Sequence, residues 1–94
     1  MQLALRQSVA EAHRELMNAA AEYNSLEHDL RPIAEQTLAE TETGYERGQF
    51  NLLAVLESRS ALFEIRESRL AALSRYARSL ARIETLIRPA NLTL

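Results

Sequence analysis

The sequence predicts an all-α fold, a long antiparallel helical hairpin of coiled-coil type, on three observations. Of 94 residues, 47% are apolar and 26% charged, a composition that folds, while two Gly, two Pro, no Trp and no Cys argue against a sandwich, a disulfide scaffold and a Cys-type zinc site. Apolar residues recur at alternating spacings of three and four over most of the first half, the mark of a helix seam rather than a strand. Both glycines fall within five residues near the middle of the chain, the natural place for it to reverse.

The first arm, about 2–44, carries its seam through Leu5, Val9, Ala12, Leu16, Ala19, Tyr23, Leu26, Leu30 and Ile33. Pro32 removes one backbone donor and disfavours α geometry at Arg31, so a kink or slight overwinding is expected there rather than a stop. Leu38, Thr41 and Tyr45 then continue a shifted stripe. The turn is placed at 45–51, with Gly48 as the left-handed residue that closes the first arm and Asn51 as the cap that opens the second.

The second arm, about 52–88, has apolar residues on more than one line: Leu52, Leu53, Val55, Leu56, Leu62, Phe63, Ile65, Leu70, Leu73, Tyr76, Leu80, Ile83 and Ile87. Two adjacent stripes require two neighbours, and a lone hairpin supplies only one. Each arm is about 65 Å long at ~1.5 Å per residue. Pro89 is expected to close the helix, leaving 89–94 as a frayed tail.

Charge supports the antiparallel arrangement. From Met1 to Glu46 nine acids face three Arg, whereas from Arg47 onward eight Arg face four Glu, so the arms carry opposite charge. The net charge of −2 speaks against a nucleic-acid-binding domain. No apolar stretch reaches the length of a membrane helix, and no secretory leader is recognisable at the start of the sequence.

The turn also carries a resemblance. Gly44-Tyr45-Glu46-Arg47-Gly48, then Leu52-Leu53-Ala54-Val55-Leu56-Glu57-Ser58, then an Arg/Leu-rich helix with Tyr76, Leu80 and Glu84, resembles the last coiled-coil hairpin of TolC-family outer-membrane efflux proteins. The shared pattern is Tyr-x-x-Gly, a short turn, and an apolar-x-Val-Leu-acid-small run. Leu30-Arg31-Pro32 and the spacing of residues from Ala71 to Glu84 are similar to the heavy-metal, CzcC/CusC-like branch of resistance-nodulation-division (RND) systems. The similarity spans roughly Tyr23 to Ile87.

That resemblance implies the periplasmic portion of a trimeric channel in a Gram-negative outer membrane, whose hairpins form an α-helical barrel. It implies that Arg47, Gly48 and Gln49 are the tip that meets a periplasmic adaptor (membrane fusion) protein, and that Tyr45 and Glu57 belong to the entrance constriction. Ala54 stands where family channels often carry the first of two acids, and Phe50 and Arg88 also depart from the pattern. Read without the family, Glu57 is an exposed first-turn acid favoured by the helix dipole and Tyr45 packs at the turn.

The residues offer little chemistry. His13 and Met17 share a helix face, but two ligands make no metal site, and His28 adds no ligand spacing. The serines lie on predicted helix without a nucleophile elbow or a base nearby, and there is no Gly-rich phosphate loop. The expectation is therefore a chain without catalytic, cofactor or metal sites. The alternative function is a stand-alone hairpin that pairs with a second copy into a four-helix bundle and acts as an interaction or scaffold module.

Overall fold

Helix formation runs almost unbroken because so few residues oppose it. The computed structural model describes residues 2–87, in which α1 spans Gln2–Ser25, a π-helical turn Leu26–Leu30, α2 Arg31–Glu46 and α3 Leu52–Ile87. α1, the π turn and α2 make one long arm, and α3 returns along it. The described part of the molecule is an elongated body of 68 × 23 × 18 Å. No described helix is long and apolar enough to cross a membrane.

The arms meet along a strict heptad ladder. On the first arm it passes through Ala12 and Ala19 of α1 and Leu26 of the π turn, all buried, with Val9, Leu16 and Tyr23 half-buried along the same line. On α3 it runs through Val55, Ser58, Leu62, Ile65, Arg69, Ala72, Tyr76, Ser79, Ile83 and Leu86, all buried or half-buried. Small residues hold the ladder where Ala12, Ala19, Ala72 and Ser79 stand, and small side chains at the contact let helix axes approach closely. No large side chain among the described residues is fully buried, so the core is a thin seam in which Leu26, Val55 and Leu62 are the bulky members.

Ion pairs between the arms follow the charge division. Glu42 meets Arg59 at 3.2 Å, Glu27 meets Arg69 at 3.2 Å, and Glu22 pairs with Arg75. Glu11 and Glu15 both lie 3.9 Å from Arg82. In every case the acid is on the first arm and the Arg on α3. Each exposed pair contributes little by itself, but together they favour this pairing of arms.

As expected, Pro32 does not stop the helix, but the turn before it is underwound rather than overwound. The preceding turn is π-helical, which is wider than an α turn, and the Arg31 amide reaches back to the Leu26 carbonyl, five residues away. The extra residue relieves the clash between the proline ring and the carbonyl four residues earlier, so the helix continues. The insertion also rotates the buried line by one position. Leu30 and Ile33, expected in the seam, are exposed, Ile33 to 62%, and Ala34, Leu38, Thr41 and Gly44 take over the inner face, with Tyr45, expected to continue the stripe, exposed beside it; Leu5, expected to begin the seam, is exposed as well. The expected close at Pro89 and the tail 89–94 lie outside the described residues.

Candidate interaction surface

Three features rise above an ordinary helical surface: the tip, one flank of α3, and a charged node at the π turn.

The tip is built by a complete helix stop. Gly48 has φ +76°, the left-handed conformation that a side chain resists. Its amide donates to the Tyr45 carbonyl at 3.0 Å, and the Gln49 amide donates to the Gly44 carbonyl at 2.7 Å. These two bonds form a Schellman motif, which satisfies carbonyls that the end of α2 would otherwise leave open. Asn51 then opens α3, its Oδ1 accepting from the Ala54 amide at 3.0 Å.

Phe50, just beyond the motif, lays its ring on Gly44, where a Cβ would overlap it. Gly44 is thus a buried flat seat rather than a flexible joint. Even so, Tyr45, Phe50, Leu52 and Leu53 remain about half exposed around the exposed Arg47, Gly48 and Gln49. A rigid turn with an apolar collar sits at one end of the rod.

Behind the tip, beside the Glu42–Arg59 ion pair, the arms share a hydroxyl contact. Ser58 Oγ and Thr41 Oγ1 lie 3.2 Å apart, and the two hydroxyls also bond to the Ala54 and Thr37 carbonyls of their own helices. This pins the register of the arms close to the turn.

The flank of α3 carries the second stripe. Leu56, Phe63, Leu70, Leu73, Leu80 and Ile87 each stand one residue beyond a ladder position, about 100° round the helix, and all are exposed, Phe63 to 63%. Arg59, Arg66, Ala77 and Glu84 complete this line at the same three-and-four spacing. Between the arms on this side lies a groove of about 300 Å³ lined by Ala20, Tyr23, Asn24, Leu73 and Tyr76.

The node lies where the π turn meets α3. Arg31 bridges Glu27 at 2.8 Å and Glu35 on the next turn, and the other oxygen of Glu27 faces Arg69 at 3.2 Å. Arg69 occupies a ladder position between Ile65 and Ala72, so a charge is set into the seam and answered from the opposite arm. The hydrogen bond from Arg31 holds the Glu27 carboxyl below its ordinary value of 4.5, and the charges of Arg31, Arg69 and His28 act in the same direction against its partial desolvation.

A folded-state value below the unfolded one stabilises the hairpin above pH 4.5, and that contribution is lost as pH falls through the folded value. Glu27→Gln is therefore expected to lower the urea midpoint at neutral pH. The gap from the parent chain is expected to close progressively as the pH drops below 4.5. A gap of the same size at both ends of a pH series of urea titrations refutes the assignment.

The sequence-derived site residues do not converge. Tyr45 is exposed in the last turn of α2; Glu57 is exposed in the second turn of α3, not in the first as expected, because α3 starts at Leu52; neither side chain makes a hydrogen bond or ion pair among the described residues. Arg47, Gly48 and Gln49 are together at the tip. His13 and Met17 are exposed on α1, and no three His, Asp or Glu residues come together as a metal-binding group among the described residues. The charged node escaped the sequence reading, although Glu27, Arg31 and Glu35 at successive four-residue spacings were a visible sign of it. Comparison with protein-family models, with curated proteins and with solved structures found no match.

Proposed function

We propose that this chain is a periplasmic hairpin of an outer-membrane efflux channel in a tripartite, RND-type export system. In this reading it contributes to the channel wall, docks the periplasmic adaptor at Arg47, Gly48 and Gln49, and places Tyr45 and Glu57 at the entrance constriction. The role is passive in chemistry: the hairpin guides and gates, and catalyses nothing. The parent channel is a trimer, and its cargo in the heavy-metal branch is the metal ion itself.

The observation that carries this reading is the tip. A generic hairpin needs Gly48 and Asn51, but has no need to seat a Phe on a buried glycine and leave Tyr45, Phe50, Leu52 and Leu53 as an apolar collar around it. An apolar patch of this kind, held rigid at the end of a long rod, suits an end-on partner. Opening would proceed by small shifts of packed helices about this end.

The second reading, a stand-alone dimerising module, is favoured by the exposed stripe on α3, which one hairpin cannot cover. An immunoblot of fractionated source cells with antibody against this chain separates the two. A band several times heavier than 10.6 kDa in the outer-membrane fraction is the result expected for the channel. A soluble band near 10.6 kDa overturns it in favour of the module.

A further inference from the structure

We propose that the exposed flank of α3 seats a second copy of this chain, lying antiparallel about a two-fold axis between Leu70 and Leu73. The inference rests on the second reading, the dimerising module, and names its interface; in a channel wall a neighbouring helix would take the same stripe.

The stripe is its own complement when reversed. About that axis Leu56 faces the second copy's Ile87, Phe63 faces Leu80, and Leu70 faces Leu73. Of the three charged members, Arg59 faces Glu84, and Arg66 faces Ala77, whose small side chain leaves room for the long Arg stem. Glu84 makes no ion pair among the described residues, and the second copy's Arg59, which meets Glu42 of its own chain at 3.2 Å, sets its guanidinium between the two carboxylates.

Other arrangements fit less well. A parallel pair in register opposes Arg59 to Arg59, Arg66 to Arg66 and Glu84 to Glu84, and like charges across an interface are repelled. An antiparallel pair slid one heptad toward the tip sets Leu52 against Glu84 and Leu70 against Arg66. A slide the other way keeps an Arg66–Glu84 pair but sets Leu73 against Ala77 and carries Leu56 and Arg59 past the described end of α3.

The groove adds an independent mark. Leu73, next to the axis, forms part of its wall, and the remainder comes from Ala20, Tyr23, Asn24 and Tyr76. The second copy's Leu70 is placed to enter it, and the two-fold axis repeats the insertion on the other side. Covering the six large side chains on both copies removes on the order of 1,000 Å² of apolar surface from water, the size at which specific interfaces begin.

Sedimentation equilibrium of the 94-residue chain is expected to give twice 10.6 kDa, and the mass of one copy or of three overturns the pair. Because the chain has no Cys, register is read directly. Arg59→Cys in one tagged chain and Glu84→Cys in another, mixed and oxidised, are expected to form the mixed disulfide several-fold in excess of either same-variant disulfide. Dominant same-variant disulfides overturn the register. A Phe63→Gln/Leu80→Gln chain is expected to dimerise at least tenfold more weakly with its helicity kept, and undiminished pairing also overturns the proposal. A monomeric chain leaves the tip-docking reading standing, because that reading is decided by the cell fractionation.

Discussion

Leu62→Ala is expected to remove about 2–4 kcal/mol from the stability of the hairpin, the cost of deleting buried methyl groups from a site that collapses only partly. Leu62 is 5% exposed in the middle of the ladder, and with Leu26 and Val55 it is one of only three bulky residues buried there among the described residues. A globular domain spreads such a loss over many layers. Here the remaining ladder is Ala, Ser, Thr and half-buried side chains, so little else shields the seam.

Against a total of about 5–15 kcal/mol for ordinary domains the loss is large, and at about 4–8 °C per kcal/mol it lowers the thermal midpoint by roughly 8–32 °C. Phe63→Ala, one residue on, is the control. Its side chain is mostly in water, so in the monomer the change is expected to stay within about 0.5 kcal/mol. Thermal melts followed by circular dichroism at a concentration where the chain is monomeric compare the two, and equal shifts would mean that the inner and outer faces of α3 have been assigned wrongly.

The helical class and the long hairpin shape were legible in the sequence because they rest on what is abundant: helix-forming residues, heptad spacing, and two glycines placed together. The opposed charge of the arms was equally plain, and appears as ion pairs from Glu11 to Glu42 on one side and from Arg59 to Arg82 on the other. Other features were not readable, for identifiable reasons. Pro32 marks a disturbance, but whether a helix tightens, kinks or admits an extra residue depends on which carbonyl each amide finds, and the Arg31 amide found Leu26. That choice moved Leu30 and Ile33 out of the seam.

On α3 a search for large apolar residues gathers Leu56, Phe63 and Leu70 together with Val55 and Leu62. It misses Ser58, Arg69, Ala72 and Ser79, although these share the inner face. Small and charged residues carry no apolar signal of their own; only the heptad phase assigns them. Gly44 was visible as half of a glycine pair, but its role as the seat of the Phe50 ring requires the fold of the turn. As for Tyr45 and Glu57, a constriction is made by several copies facing one another, so a single hairpin shows where they stand and not what they would meet.

Ala72→Leu puts the distinction between the two faces to its hardest use. Ala72 is wholly buried in the ladder of α3, where small residues let the arms lie close. Leu is nearly as good a helix former as Ala, so propensity predicts almost no change. Packing predicts the reverse: extra methylenes forced into a filled seam cost about 1–3 kcal/mol, as side chains leave their preferred rotamers or the helices separate. Separation would also strain the Glu22–Arg75 pair, three residues along α3. Leu73→Ala, at the adjacent position, deletes a side chain that is 45% exposed, and is expected to cost the single hairpin less than about 1 kcal/mol while weakening the association of two copies. Urea titration at a concentration where the chain is monomeric therefore separates the pair: enlarging the inner position lowers the midpoint, whereas trimming the outer one nearly preserves it. If Ala72→Leu instead left the midpoint unchanged, the arms would not be closely packed, and the small residues at Ala12, Ala19 and Ser79 would need another explanation.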